Sequence, residues 1–141
     1  NGIQAMDLVG RKLSDGGDAA MRLLDEVLDG AKAAQGEHPE LAHQLWQAAE
    51  TLREATLALL ERELPQRFAG AVPYLNAFAR VLGGHYHLRA ALAGNGAHLA
   101  LAQVFMARVL PRNAGDLAEA VAGLDDLTGV SDAALAGDLA A

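Results

Sequence analysis

The sequence predicts an all-α protein, an up-and-down bundle of four to five main helices. Three observations point there. Apolar residues fill 52% of the 141 positions but aromatics only 4%, so Ala and Leu supply most of the apolar mass. That balance suits closely packed helices rather than sheets, which favour β-branched and aromatic residues. Apolar positions recur at intervals of three and four along most of the chain. Gly and Pro clusters interrupt that rhythm at spacings that fit short helix connections. A chain of this length can bury roughly two-thirds of its unfolded surface in one core.

Taken in order, Ile3, Met6, Leu8, Val9 and Leu13 lie on one helical stripe, and Arg11 and Lys12 suit the negative end of its dipole. Ser14, Asp15, Gly16, Gly17 and Asp18 break that helix, with Asp18 placed to cap the next. There Met21, Leu24, Val27 and Leu28 make a face, Gly30 weakens the run, and residues 35–38 end it. Pro39 suits a first helical position, where its missing N–H costs nothing. Leu41, Leu45, Ala48, Leu52, Ala55 and Leu59 then form a seam, and Trp46, Ala49 and Leu60 widen it into a core face. Pro65 ends the run, and residues 66–72 read as a short connection.

From Pro73 a further helix places Leu75, Phe78, Leu82, Arg89 and Leu92 on one side and Tyr74, Val81 and Leu88 on an adjacent one. Gly94, Asn95 and Gly96 stop it. Residues 97–110 are apolar nearly all round, which predicts the most buried helix of the bundle. Asp116 and Glu119 have the spacing of a capping box, opening a helix through Leu117, Val121 and Leu124. Ser131 suits the cap of a last short turn with Leu135.

Chemistry is sparse. Cysteine is absent, which excludes disulfides, thiolate metal sites and a Cys nucleophile. A net charge of −7 argues against nucleic acid and against anionic membrane surfaces, and no apolar run approaches a membrane span of ~20 residues. Glu40 and His43 form an E-x-x-H, but helix-bundle di-iron sites need two such pairs and two further carboxylates, so no metal is expected. His85 and His87 point about 200° apart on a helix and cannot share an ion; one is expected at the core or an interface and the other towards water. Gly83 and Gly84 cost roughly 1 kcal/mol each relative to Ala inside a helix, and close helix approach is the favoured reason. Gly94 and Gly96 lack the strand and third glycine of a phosphate loop. The two serines, Ser14 and Ser131, sit in turn or cap contexts, leaving no Ser–His triad.

The opening run NGIQAMDLVGRKL, residues 1–13, resembles the last core segment of flavin-dependent acyl-CoA dehydrogenases. In a large bacterial branch of that family the segment reads close to E-G-T-N-G-I-Q-A-L-D-L-V-G-R-K-L, and Met6 is the one difference. HPELA, GAVPYLNAFARVLGGHYHLRAALA and QVFMARVLPR resemble, more loosely, the extra C-terminal helical domain of that branch. The resemblance implies two parts: residues 1–17 ending the dehydrogenase core and residues 18–141 forming the extra domain. It implies a parent that oxidises acyl-CoA to 2,3-enoyl-CoA with FAD, in a bacterial cytoplasm, and a role for this chain in packing against upstream domains and shaping a homodimer interface. The family's catalytic Glu, in E-G-T, would precede Asn1, so no catalytic residue is expected here. Asn1 and Gly2 match positions against the flavin, Arg11 matches an Arg with a structural role, and neither FAD nor acyl-CoA is expected to bind the chain alone. The alternative is a stand-alone helical interaction module.

Overall fold

The computed structural model describes residues 2–94 and 96–137, which form helices joined by turns and short irregular links, with no strand among them. The order is α1 (Gly2–Asp7), a π-helical turn (Leu8–Lys12), α2 (Asp18–Ala34), α3 (Pro39–Leu60), α4 (Leu64–Ala69), α5 (Ala71–Ala93) and α6 (Gly96–Arg108). A 3-10 turn (Leu110–Arg112), α7 (Asn113–Ala122), α8 (Asp125–Thr128) and α9 (Asp132–Leu135) follow. Five helices of ten or more residues, α2, α3, α5, α6 and α7, make the bundle, and α5 sits at its centre in contact with α1, α2, α3, α4, α6 and α7.

The seam on α3 packs as its spacing predicts: Leu41, Leu45, Ala49, Leu52, Ala55 and Leu59 are buried. Trp46 does not join them and stays 41% exposed, because it lies off the seam, where its indole can keep one edge in water. On α2, Leu24, Val27 and Leu28 are buried and Met21 is partly so. On α5 the buried side is the one carrying Tyr74, Val81 and Leu88, together with Phe78, while Leu75, Leu82 and Leu92 are only partly covered.

Several elements depart from the sequence reading. The first stripe splits: Ala5, Val9 and Leu13 fold back into the core, whereas Ile3 is 81% and Met6 46% exposed. The π turn over Leu8–Lys12 adds a residue per turn and shifts the later side chains relative to the first ones. Asp18 opens α2 but is not its cap. Gly17 holds the cap position in a left-handed conformation at φ 81°, which favours glycine. The Asp15 carboxylate accepts from the N–H groups of Gly17 (2.9 Å) and Ala19 (3.0 Å), and these two bonds hold its pKa below the usual carboxylate value.

Residues 66–72 are not a plain connection. Leu64–Ala69 is a helical turn with Pro65 in its first turn, and α5 begins at Ala71, two residues before Pro73. Residues 97–110 do not form the most buried helix: on α6 only Ala102 and Met106 are buried, and Leu101 and Val104 are 57% and 59% exposed. Asp116 caps nothing. It lies inside α7, which starts at Asn113, and its carboxylate pairs with Arg80 of α5. Ser131 does cap α9, accepting from Ala134 N–H at 3.2 Å. Asn95 lies outside the described residues.

Candidate functional site

Asn1 is outside the described residues. Gly2 starts α1 at the surface, and beyond its chain neighbours and its own helix backbone no heavy atom lies within 4 Å of the place its Cβ would occupy. Exposed Ile3 and Met6 follow it, giving an apolar edge beside open backbone. Arg11 grips Asp7 with both arms of its guanidinium, Nε to Oδ1 at 2.6 Å and Nη2 to Oδ2 at 3.0 Å. That pairing lowers the Asp7 pKa and raises that of Arg11, so Arg11 ties one helical turn to the next.

The paired histidines separate as their spacing requires. His85 is buried at the α2–α5 contact, where Gly30 makes room for it: a Cβ on Gly30 would lie 2.6 Å from Cε1 and 2.8 Å from Nδ1. Its Nδ1 has no partner. Burial pushes its pKa below the ordinary imidazole value, Arg89 adds to that, and Glu26 opposes it. His87 turns the other way and lies against Phe105, ring centres 4.6 Å apart. Gly83 and Gly84 serve the close approach of α6: a Cβ on Gly83 would meet Phe105 Cζ at 2.7 Å, and one on Gly84 would press on Leu45 and Met106.

Three surface grooves flank α3: Glu54 and Ala58 line the one towards its end, and two lie nearer its start. One of these two, of about 370 Å³, lies between α3 and the α6–α7 corner. Its floor is Met106, Leu110, Asn113 and Leu117; Gln44, Gln47 and Thr51 stand along the α3 wall, and no ionisable side chain lines it. The Thr51 hydroxyl proton is already given to the Gln47 carbonyl at 2.9 Å. Such a lining can hold apolar matter and exchange neutral hydrogen bonds, but it offers no acid–base pair. The second of the two, of about 390 Å³, holds His43 beside Lys32 and Trp46; Glu40 is not part of its lining. Among the described residues no three His, Cys, Asp or Glu side chains gather as a metal site would require, and no helix is long and apolar enough to cross a membrane.

The sequence model of the family described as "Acetyl-CoA dehydrogenase C-terminal like" matches residues 20–131. The chain belongs to this family. The acetyl-CoA dehydrogenase C-terminal-like region therefore takes in nearly all of α2, every helix from α3 to α8, and the approach to α9, while α1 and the π turn precede it. The buried core of the bundle from Leu24 to Ala120 falls within the match. Neither the curated proteins nor the solved structures contain a match to the chain.

Proposed function

We propose that the chain is the non-catalytic C-terminal helical part of an FAD-dependent acyl-CoA dehydrogenase that converts acyl-CoA to 2,3-enoyl-CoA. Residues 1–17 close the dehydrogenase core, and residues 18–141 are the additional domain that packs on the flavin-bearing domains and shapes a homodimer. The proposed setting is a bacterial cytoplasm. The observation that carries this reading is the family match over residues 20–131. Its start, two residues into α2, agrees with a boundary at Asp18.

The edge at the start of α1 supports a neighbour on that side. Ile3 and Met6 leave apolar surface in water, and a dehydrogenase core packed there would remove it. Asn1 and Gly2 are the proposed cofactor-contact positions. Gly2 fits that role on one count, since it is exposed with open space around it and lets a flat ring approach the backbone. Among the described residues, Gly2 offers one open edge for such a site. FAD, when bound, supplies the acceptor for the substrate's β-hydride. This chain's contribution is the wall, with Arg11 and Asp7 keeping the first turns in place.

The test compares this chain with the product of the longer open reading frame. The longer protein is expected to purify yellow and to reduce an electron acceptor when acyl-CoA is added. The 141-residue chain is expected to be colourless, inert towards acyl-CoA, and unchanged in melting temperature by EDTA. A flavin-free longer protein, or a start codon immediately before Asn1, overturns the reading in favour of an independent interaction module.

A further inference from the structure

The groove between α3 and the α6–α7 corner has a buried polar group in its floor. Asn113, only 5% exposed, lies there among Met106, Leu110 and Leu117. Its Nδ2 donates to the Ala77 carbonyl of α5 at 3.2 Å. A carbonyl can only accept, so this bond fixes the NH2 end of the carboxamide on α5. The other end, Oδ1, is buried and accepts from nothing. Buried acceptors in folded proteins are nearly always partnered. One left without a donor is a place where a donor binds with gain.

The rest of the lining says what kind of molecule can bring that donor. The volume of about 370 Å³ falls in the range of small-molecule sites, roughly 300–1,000 Å³. None of the lining residues carries a charge, so an ion entering the groove would lose its water without meeting a counter-charge. The hollow continues along α3 and α7, because it shares Thr51, Ala114 and Leu117 with the groove that reaches Glu54. The one ionisable group in that continuation is the Glu54 carboxylate, which repels anions. Met106, with its unbranched thioether chain, lets the floor adjust to a guest.

We propose that this groove binds an uncharged amphiphile, with an aliphatic chain lying over Met106, Leu110 and Leu117 and a neutral N–H or O–H donated to Asn113 Oδ1. Amides and alcohols on a medium-length chain have that chemistry. Carboxylates and ammonium ions do not, since the lining holds nothing to neutralise them. The CoA ester proposed as the parent's substrate carries phosphates and is a different ligand. Gln44 and Gln47 stand on the α3 wall, where either side-chain amide can give or accept a second neutral bond. The site does not depend on the flavin chemistry, so flavin content and ligand binding test the two ideas separately.

The experiment titrates the 141-residue chain with hexanamide and with N,N-dimethylhexanamide, which keeps the apolar body and loses both donors. The readouts are melting temperature and amide NMR spectra of a nitrogen-labelled sample. Hexanamide is expected to raise the melting temperature with concentration and to shift the side-chain NH2 signals of Asn113. The dimethyl compound is expected to bind about tenfold more weakly, the usual worth of one hydrogen bond, and hexanoate is also expected to bind more weakly than hexanamide. Ala114→Phe, at an exposed position in the lining, is expected to leave circular dichroism unchanged and to abolish both effects of hexanamide. Equal affinity for the two amides overturns the inference. So does a chain that binds neither at millimolar concentration, a set of shifted signals that excludes Asn113, or binding that survives Ala114→Phe.

Discussion

Tyr74 donates its phenolic proton to Thr56 Oγ1, 2.8 Å away, and Thr56 donates its own proton to the Leu52 carbonyl at 2.7 Å. Both side chains are fully buried, and the relay joins α5 to α3 through the middle of the core. The direction of donation makes the two partners unequal. Tyr74→Phe removes one donor and leaves Thr56 still bonded to Leu52, so it is expected to cost about 1 kcal/mol. Thr56→Val strands a buried phenol and is expected to cost about 1–3 kcal/mol. Urea unfolding of the two variants and of the double variant checks the order. Burial also pushes the Tyr74 pKa up to about 12. Its contribution is thus complete below the unfolded value near pH 10 and is lost as pH climbs from there towards 12. Tyr74→Phe is expected to flatten that alkaline loss.

Gly30 and His85 form a pair of the lock-and-space kind. Replacing a mid-helix Gly by Ala ordinarily stabilises by about 1 kcal/mol. Gly30→Ala is expected to destabilise instead, because its methyl would sit 2.6 Å from the buried imidazole. In a His85→Ala background the same change is expected to become favourable, and a double-mutant cycle by thermal unfolding measures the reversal.

The same histidine sets an acid-side slope. Its folded pKa lies below the ordinary 6.5, chiefly because of burial. The unfolded chain therefore takes a proton that the folded one resists. Stability attached to this group is full above about pH 6.5 and falls as the pH drops below it. His85→Gln is expected to weaken that slope relative to the parent chain, read as melting temperature between pH 7 and pH 5.

Asp15 rather than Asp18 holds the start of α2. Asp15→Ala is expected to lower the melting temperature more than Asp18→Ala, since it frees two N–H groups whereas Asp18 gives up only an exposed pair with Arg22 at 3.3 Å. Scanning calorimetry on the two variants decides this.

On α6 the ranking by residue type reverses. Phe→Ala in a core costs about 3–5 kcal/mol, but Phe105 is only partly buried while Met106 is 1% exposed. Met106→Ala is expected to cost about 2–5 kcal/mol and to exceed Phe105→Ala. Gln103→Ala, at an exposed position, is expected to stay within about 0.5 kcal/mol.

What could be read from residues alone follows from how strongly one side of a helix differs from the other. On α3 the apolar positions are set against Gln44, Gln47, Glu50 and Glu54, so the buried face was legible in advance, as was Pro39 at its start. On α6 every side is apolar, and periodicity then carries no information about which side turns inward; only the fit of Phe105 against Gly83 settles it. The cap of α2 was misplaced because Gly17 takes a left-handed conformation that lets Asp15 reach back over the turn. Residues 66–72 hid a helical turn, since a six-residue helix leaves no room for a period to show. The split of the first stripe depends on a π turn, which spacing rules built on 3.6 residues cannot foresee. The proposed cofactor positions were reached through resemblance, because a glycine beside open space has no chemical signature of its own.

The central place of α5 has a consequence in time. A helix that touches α1, α2, α3, α4, α6 and α7 cannot expose its amides by the loosening of any one neighbour. Its backbone hydrogens are expected to exchange with solvent only when the whole bundle comes apart, and so to report the global unfolding free energy. The short α9, capped by Ser131 and with Leu135 74% exposed, belongs at the opposite end of that scale, exchanging within the dead time of a manual experiment. Between the two lies a graded clock of opening events, with α5 as the last hand to move.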